Sequence, residues 1–393
     1  MKARFRSAVI LSLTMIVLLL TSNRLPADTG MCGGATTTLP FTDVMGSIFF
    51  CQIAEAFFSG LTNGTTPTTY SPSDVVLRDQ MAAFVTRTLD SALRRGSRRA
   101  ALKQWANFTN GLAGGPFLGN GANPRLMASD GSDIWVANTG NGTVSRVRAS
   151  DGALLGTWTG ATGVFDVLVM PNLIWLTGQT SPGNIYGIDP RQPPGPVITF
   201  SLPGLGAYPT GIATDGQYIW TANFGGSVSK VNPNGTATTI TTGFSQPVGI
   251  LFDGTDIWVT DLGDNHLKQL DSNGGILQSV PVGSQPNFPV FDGSNIWVPN
   301  NADASVTVVR ARDGVVLTTL TGNGLNLPSQ AAFDGERILV TNFAGDSVSL
   351  WKATDLTPLG TFTSGPGSHP LGACSDGVHF LVTLNGFNYV LKL

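Results

Sequence analysis

Pro247-Val-Gly-Ile-Leu-Phe-Asp253-Gly254-Thr-Asp-Ile-Trp258-Val-Thr-Asp261 is the stretch that decides how this chain folds. It reads as a short apolar strand, an Asp-Gly turn that admits positive φ at glycine, and a second strand with a large aromatic residue near its middle. Asp130 stands in the same relation to Trp135, Asp215 to Trp220, Asp292 to Trp297, Asp334 to Leu339 and Asp376 to Leu381. One unit departs, with Met170-Pro171-Asn172 in the turn and Trp175 on the strand. A period of roughly 40 residues built from short strands is the spacing of a β-propeller, each repeat being one four-stranded blade. Seven such units predict a mainly β protein, a seven-bladed β-propeller.

Outward from the turn, the third unit shows the rest of a blade. Pro209 to Thr214 is the inner strand, Tyr218 to Asn223 the second and Ser227 to Val231 a third with period-two alternation. Asn232-Pro-Asn-Gly235 then turns the chain into an outer strand. The last unit runs from Pro370 to Leu393 and supplies three strands, so its outer edge lacks a partner. The segment 112–119 resembles the outer strand around Leu155 and Trp158, and is expected to complete that blade. The propeller is therefore bounded at 112–393.

The large apolar residues on the second strands, Trp135, Trp175, Trp220, Trp258 and Trp297, are assigned to packing between blades. Three residues beyond this position come Asn138, Asn223, Asp261, Asn300 and Asn342, where the second strand enters its turn. That end of a propeller surrounds the mouth of the channel, and concave mouths are the default ligand sites, so these five are the candidate ligand-binding ring. Asn and Asp also form turns at strand ends, which is the alternative role.

Composition agrees with a loop-rich β protein: 49 Gly and 24 Pro, with only 12% charged residues. The formal net charge is −3, and without a basic stripe a nucleic-acid partner is not expected. Lys2, Arg4 and Arg6 precede the apolar run Ala8 to Leu20, with Leu25-Pro26-Ala27 at a plausible cut. This is the pattern of a signal peptide over 1–27. The run is shorter than the roughly 20 apolar residues of a membrane span, so no transmembrane segment is expected after cleavage.

Between leader and propeller the pattern changes. Phe49, Ile53, Ala56 and Phe57 mark one helical face, and Met81, Phe84, Val85, Thr88, Leu89 and Ala92 a second. They predict a small N-terminal α-helical hairpin domain over 28–92. Arg94-Arg95-Gly-Ser-Arg98-Arg99-Ala-Ala-Leu-Lys103 follows as a basic linker over 93–111. In an exported protein Cys32 and Cys51, both in the helical domain, are the natural disulfide, and Cys374 is a buried thiol.

Phe41-Thr-Asp43-Val44, Gly60-Leu61-Thr-Asn-Gly64 and Tyr70-Ser-Pro72 with Arg78-Asp79-Gln80-Met81-Ala82 together resemble an S-layer homology domain. The family attaches exported bacterial proteins to cell-wall glycans. The resemblance implies that Asp43, Gly60, Gly64 and Arg78 are the positions for wall binding or domain packing. Family members commonly carry three such units, whereas this chain shows one.

Ile134-Trp-Val-Ala-Asn138 with Gly142-Thr-Val144-Ser-Arg146-Val147 resembles the YVTN and NHL-related bacterial propellers. Some relatives are lactonases that hold a divalent metal with Glu, Asn and Asp at the channel. Here the propeller's one glutamate, Glu336, falls in an Asp-Gly turn of the opposite face. Streptogramin lyase is another relative and uses a histidine as general base. Of His266, His369 and His379, only His369, before Pro370, falls on the expected functional face. No zinc spacing, redox motif or nucleophile elbow occurs, so no metal or cofactor is expected. The sequence leads to a secreted or envelope-associated, non-catalytic binding protein whose propeller face takes a protein or glycan. The alternative is a channel-mouth enzyme resembling streptogramin lyase or a propeller lactonase, with His369 its catalytic candidate.

Overall fold

The computed structural model describes residues 27–32, 35–58, 62, 64–66, 68–74, 116–232 and 235–393. The chain divides into two compact units, Met1–Arg95 and Gly96–Leu393. Among the described residues no helix is long and apolar enough to cross a membrane.

The first unit opens with two antiparallel strands, Asp28–Cys32 and Ala35–Leu39, paired from Asp28↔Leu39 to Cys32↔Ala35. Its threonine-rich second strand suits a pleated surface, and this sheet was not expected from the helical pattern. One helix follows, Phe50–Phe58. Its buried stripe is Phe50, Ile53 and Ala54, which close a core with Leu39, Phe41 and Val44. Phe49, expected on that stripe, is 59% exposed. The helical hairpin is thus replaced, among the described residues, by a β-hairpin and one short helix. The second stripe, Met81 to Ala92, lies outside the described residues, as do residues 1–26 of the leader, the basic linker, Gly60 and Arg78. Cys32 and Cys51 are joined in a disulfide that ties the first strand to the helix, with Cα atoms 5.5 Å apart.

The second unit is a seven-bladed β-propeller. Six sheets have four antiparallel strands in chain order, as in Pro247–Phe252, Ile257–Asp261, His266–Leu270 and Ile276–Pro281. The seventh has three: Pro370–Ser375, Phe380–Leu384 and Tyr389–Lys392. Packing between blades forms the core. Trp258, for example, is buried with Leu267, Val280, Ile296 and Val298, which come from its own blade and the next. Trp135, Trp220 and Trp297 are buried in the same way. Each also satisfies its indole N–H on the carboxylate of its own Asp-Gly turn, at 3.0 Å for Trp135 to Asp130 and 2.8 Å for Trp258 to Asp253. Trp175, whose unit has no aspartate in the turn, is only partly buried and stacks on Phe200.

Neighbouring inner strands approach closely around the channel. A Cβ on Gly372 would sit 2.2 Å from the carbonyl oxygen of Arg125, so only glycine fits where the last blade meets the first. Second-strand threonines bridge successive blades: Thr177 Oγ1 donates to Thr210 O, Thr341 to Leu371 O and Thr383 to Arg125 O, at 2.6–2.8 Å. The Thr383 bond joins the seventh blade to the first. Beyond the last strand, Phe117 makes an isolated antiparallel bridge with Tyr389, and Leu118 N donates to Asn388 O at 2.9 Å. Leu118 is buried with Met127, Leu381 and Val390. No regular fourth strand is present there among the described residues, and 112–115 lie outside them.

Candidate functional site

The five residues expected to ring the mouth do converge at one end of the blades, but their side chains turn into the protein. Asn138, Asn223, Asp261, Asn300 and Asn342 are all fully buried. Asn223 Nδ2 donates to Ser227 Oγ and Ser229 Oγ at 3.1 and 2.9 Å, and Asn342 to Ser347 and Ser349 at 3.2 and 2.8 Å. Asn138 and Asn300 do the same to Thr143 with Ser145 and to Ser305 with Thr307. The amides therefore lock the second strand to the third, the turn-forming role. In the fourth blade Lys268 replaces the inward hydroxyl, and the locking residue changes with it to a carboxylate. Asp261 Oδ2 lies 2.7 Å from Lys268 Nζ, and its two oxygens also accept from Ser245 N and Gln246 N.

The residue immediately after four of these locks faces the channel instead. Phe224, Leu262, Asn301 and Phe343, joined by Gln179 after Gly178 in the second blade, line a central cavity of about 330 Å³. The second residue of each inner strand completes it, including Arg125, Phe165, Thr210, Val248 and Leu371. A β-bulge follows this residue in most blades, as between Pro209 and Ile212 or Pro370 and Ala373. The extra residue re-aims its side chain out of the ladder. The signal was present in the sequence for most of the lining, as the position after the inner-strand prolines Pro124, Pro209, Pro247, Pro328 and Pro370 and after the strand-end Asn223, Asp261, Asn300 and Asn342. Alternation makes the locking residue and its neighbour point to opposite sides.

Phe165 and Phe288, from the second and fifth blades, meet with ring centroids 5.8 Å apart and are nearly buried. With Leu126, Val248 and Leu371 they form one apolar cluster. The Arg125 guanidinium lies 4.9 Å from the centroid of Phe165. Its Nε is buried and has no hydrogen-bond partner among the described residues. Burial lowers its pKa, but arginine still holds its proton at neutral pH. Next to Phe165 on the strand, Asp166 is half-buried, accepting from Val167 N at 2.7 Å and Ile212 N at 3.1 Å. Burial pushes its pKa up to about 7.

His369 sits at the rim with a positive φ of 47° and is stacked on Phe343, centroids 4.9 Å apart. Its Nδ1 is 3.2 Å from Phe343 O and 3.5 Å from Asp346 Oδ1, so two oxygen acceptors face that ring nitrogen. Burial works against ionisation of Asp346, yet N–H bonds from His369 and Gly367 hold its pKa below the usual range. Glu336 lies in the turn between Asp334 and Arg337, remote in topology from the mouth. Among the described residues no three His, Cys, Asp or Glu side chains converge as metal ligands.

In the first unit, Asp43 accepts from Tyr70 N at 2.9 Å and Ser71 N at 2.7 Å, tying the opening of the motif to its close. Gly64 has φ +80°, and a Cβ there would meet the Phe41 ring and Thr69 O at 2.5 Å. Both positions hold the domain together.

No protein-family model and no curated protein matches this chain. Solved structures do. A catalytically inactive virginiamycin B lyase from Staphylococcus aureus with quinupristin is similar over 70% of this chain and 97% of its own, at 16% identity and a TM-score of 0.61. A streptogramin B lyase covers 70% and 95%, at 16% and 0.60. Kuenenia stuttgartiensis hydrazine synthase covers 72% and 99%, at 16% and 0.59. Such identities establish a shared propeller fold, and the same fold carries unrelated chemistries.

Proposed function

We propose that this chain is a secreted or envelope-associated binding protein of the YVTN and NHL kind whose propeller recognises its ligand at the channel mouth without transforming it. The observation that carries this reading is the central cavity, walled by aromatic and aliphatic side chains with a few amides and hydroxyls, as small-ligand and peptide-tip sites are. The leader pattern and the S-layer-homology-like motifs support placement at the envelope, with a cell-wall glycan or envelope protein as partner. The test is retention of the full-length protein on whole cells and on purified wall glycans. Phe224→Ala should weaken capture of a propeller ligand, and Arg78→Ala should weaken retention on wall material. Retention that neither change alters would overturn the reading.

A second reading is a channel-mouth lyase. His369, stacked on a cavity-lining phenylalanine with Asp346 behind its Nδ1, is the observation that favours it. Turnover of quinupristin followed by chromatography, abolished in His369→Ala, would establish it in place of the first.

A further inference from the structure

The mouth contains a cation with no ion-pair partner among the described residues. Arg125 occupies the second position of the first inner strand, where the other blades place Phe165, Thr210, Val248, Phe288, Ser329 or Leu371. An aliphatic or hydroxyl side chain therefore meets the packing requirement at this position. Elsewhere in the propeller arginines sit in ion pairs: Arg146 with Asp133, Arg191 with Asp189, Arg310 with Asp313, Arg337 with Asp334. Arg125 takes part in no ion pair among the described residues, its Nε is buried without a partner, and the cavity lining contains no carboxylate. The Phe165 ring beside the guanidinium offers no hydrogen-bond acceptor to the buried Nε, and an anion entering the cavity would supply the missing acceptor.

The rest of the wall restricts what carries that anion. Phe165, whose ring centroid lies 4.9 Å from the guanidinium, shares the wall with Phe288 and Phe343, which add apolar aromatic surface to the same cavity. We infer that the mouth binds an organic anion: a carboxylate or sulfonate group on Arg125, with a planar apolar body against the phenylalanines. This inference rests on the mouth being the ligand face.

The test pairs two dyes that differ by the sulfonate group, anilinonaphthalene sulfonate and its uncharged parent phenylnaphthylamine, titrated into the full-length protein by fluorescence. Arg125→Met should weaken the sulfonate at least about tenfold and leave the uncharged dye unchanged, and Arg125→Lys should recover part of the loss. Phe343→Ala, which trims the cavity wall, should weaken both. In the native protein benzoate should displace the sulfonate and benzamide should not, which gives the same discrimination without a substitution at Arg125. Equal affinity of the sulfonate in native and Arg125→Met protein, or equal displacement by benzoate and benzamide, would overturn the anion assignment while the Phe343→Ala effect kept the mouth as a ligand site. If Phe343→Ala weakened neither dye, the mouth reading would fall and the anion site with it.

Discussion

His379 Nδ1 lies 3.0 Å from Asp376 Oδ2, the place that a tryptophan indole takes in four other blades. The seventh unit has Leu381 where those blades have tryptophan, and leucine has no N–H to give. The sixth unit has Leu339, and there Arg337 Nε donates to Asp334 Oδ2 at 2.8 Å. In both the donor sits two residues earlier on the strand. A shift of two keeps the side chain on the same face, which is why the substitution is geometrically possible.

The fifth blade should therefore accept the sixth blade's arrangement. Trp297→Leu removes a fully buried ring and its indole donor to Asp292 Oδ2, leaving there only the longer 3.4 Å contact from Asn295 Nδ2, and should cost about 2–4 kcal/mol. Adding Asn295→Arg to that variant supplies a donor at the position Arg337 holds, and should recover about 1 kcal/mol. Chemical denaturation midpoints measure both. A double variant no more stable than the single one would show that the hydrogen bond is incidental to the packing.

Asp166 makes stability depend on pH. Its folded pKa is raised to about 7 by burial, so the folded state holds the proton more tightly than the unfolded one. The contribution is fully present below about pH 4, the ordinary carboxylate range, and is lost as pH rises through about 7. The loss is on the order of 4 kcal/mol at alkaline pH. Asp130, Asp215 and Asp376 act in the opposite sense. Burial opposes their ionisation, but hydrogen bonds hold their pKa values down, so their stabilisation is lost as pH falls below the usual carboxylate range. Asp166→Asn should flatten the decline between pH 4 and 7 in thermal unfolding and leave the acid limb in place. A native protein whose melting temperature is level across that window would contradict the assignment.

Adjacent residues at the mouth should separate stability from binding. Asn223→Ala removes two hydrogen bonds between second and third strands and should destabilise the fold by about 1–3 kcal/mol while sparing ligand affinity. Phe224→Ala should weaken ligand capture with a small effect on unfolding. Measuring both properties on both variants decides the matter, and a reversal of the pattern would return the ligand role to the asparagine ring.

Closure of the ring should be sensitive to one side chain far away in sequence. Leu118 packs between the first and last blades, so Leu118→Ala should cost about 2–4 kcal/mol, as for other large-to-small changes in a core. Calorimetric unfolding would show it. An unchanged melting temperature would mean that the Thr383, Asn385 and Lys392 bonds to the first blade suffice to close the ring.

The blades, their number and their tryptophans were legible because each depends on local pattern. The Asp-Gly turn, the strand alternation and the 40-residue period are properties of near neighbours, and so is the pairing of Cys32 with Cys51 within one small unit. The face on which a strand-end side chain falls was not legible. Asn223 and Phe224 are adjacent, and only the hydroxyls of Ser227 and Ser229 across the turn decide which of them turns inward. The helical stripe slipped by one residue for a similar reason, since Phe49 and Phe50 are alike in composition and the sheet of Asp28–Leu39 selects Phe50. The solitary cation of Arg125 belongs wholly to tertiary structure. Whether a charge has a partner depends on which blades meet across the channel, and that is set by ring closure between residues more than 250 positions apart.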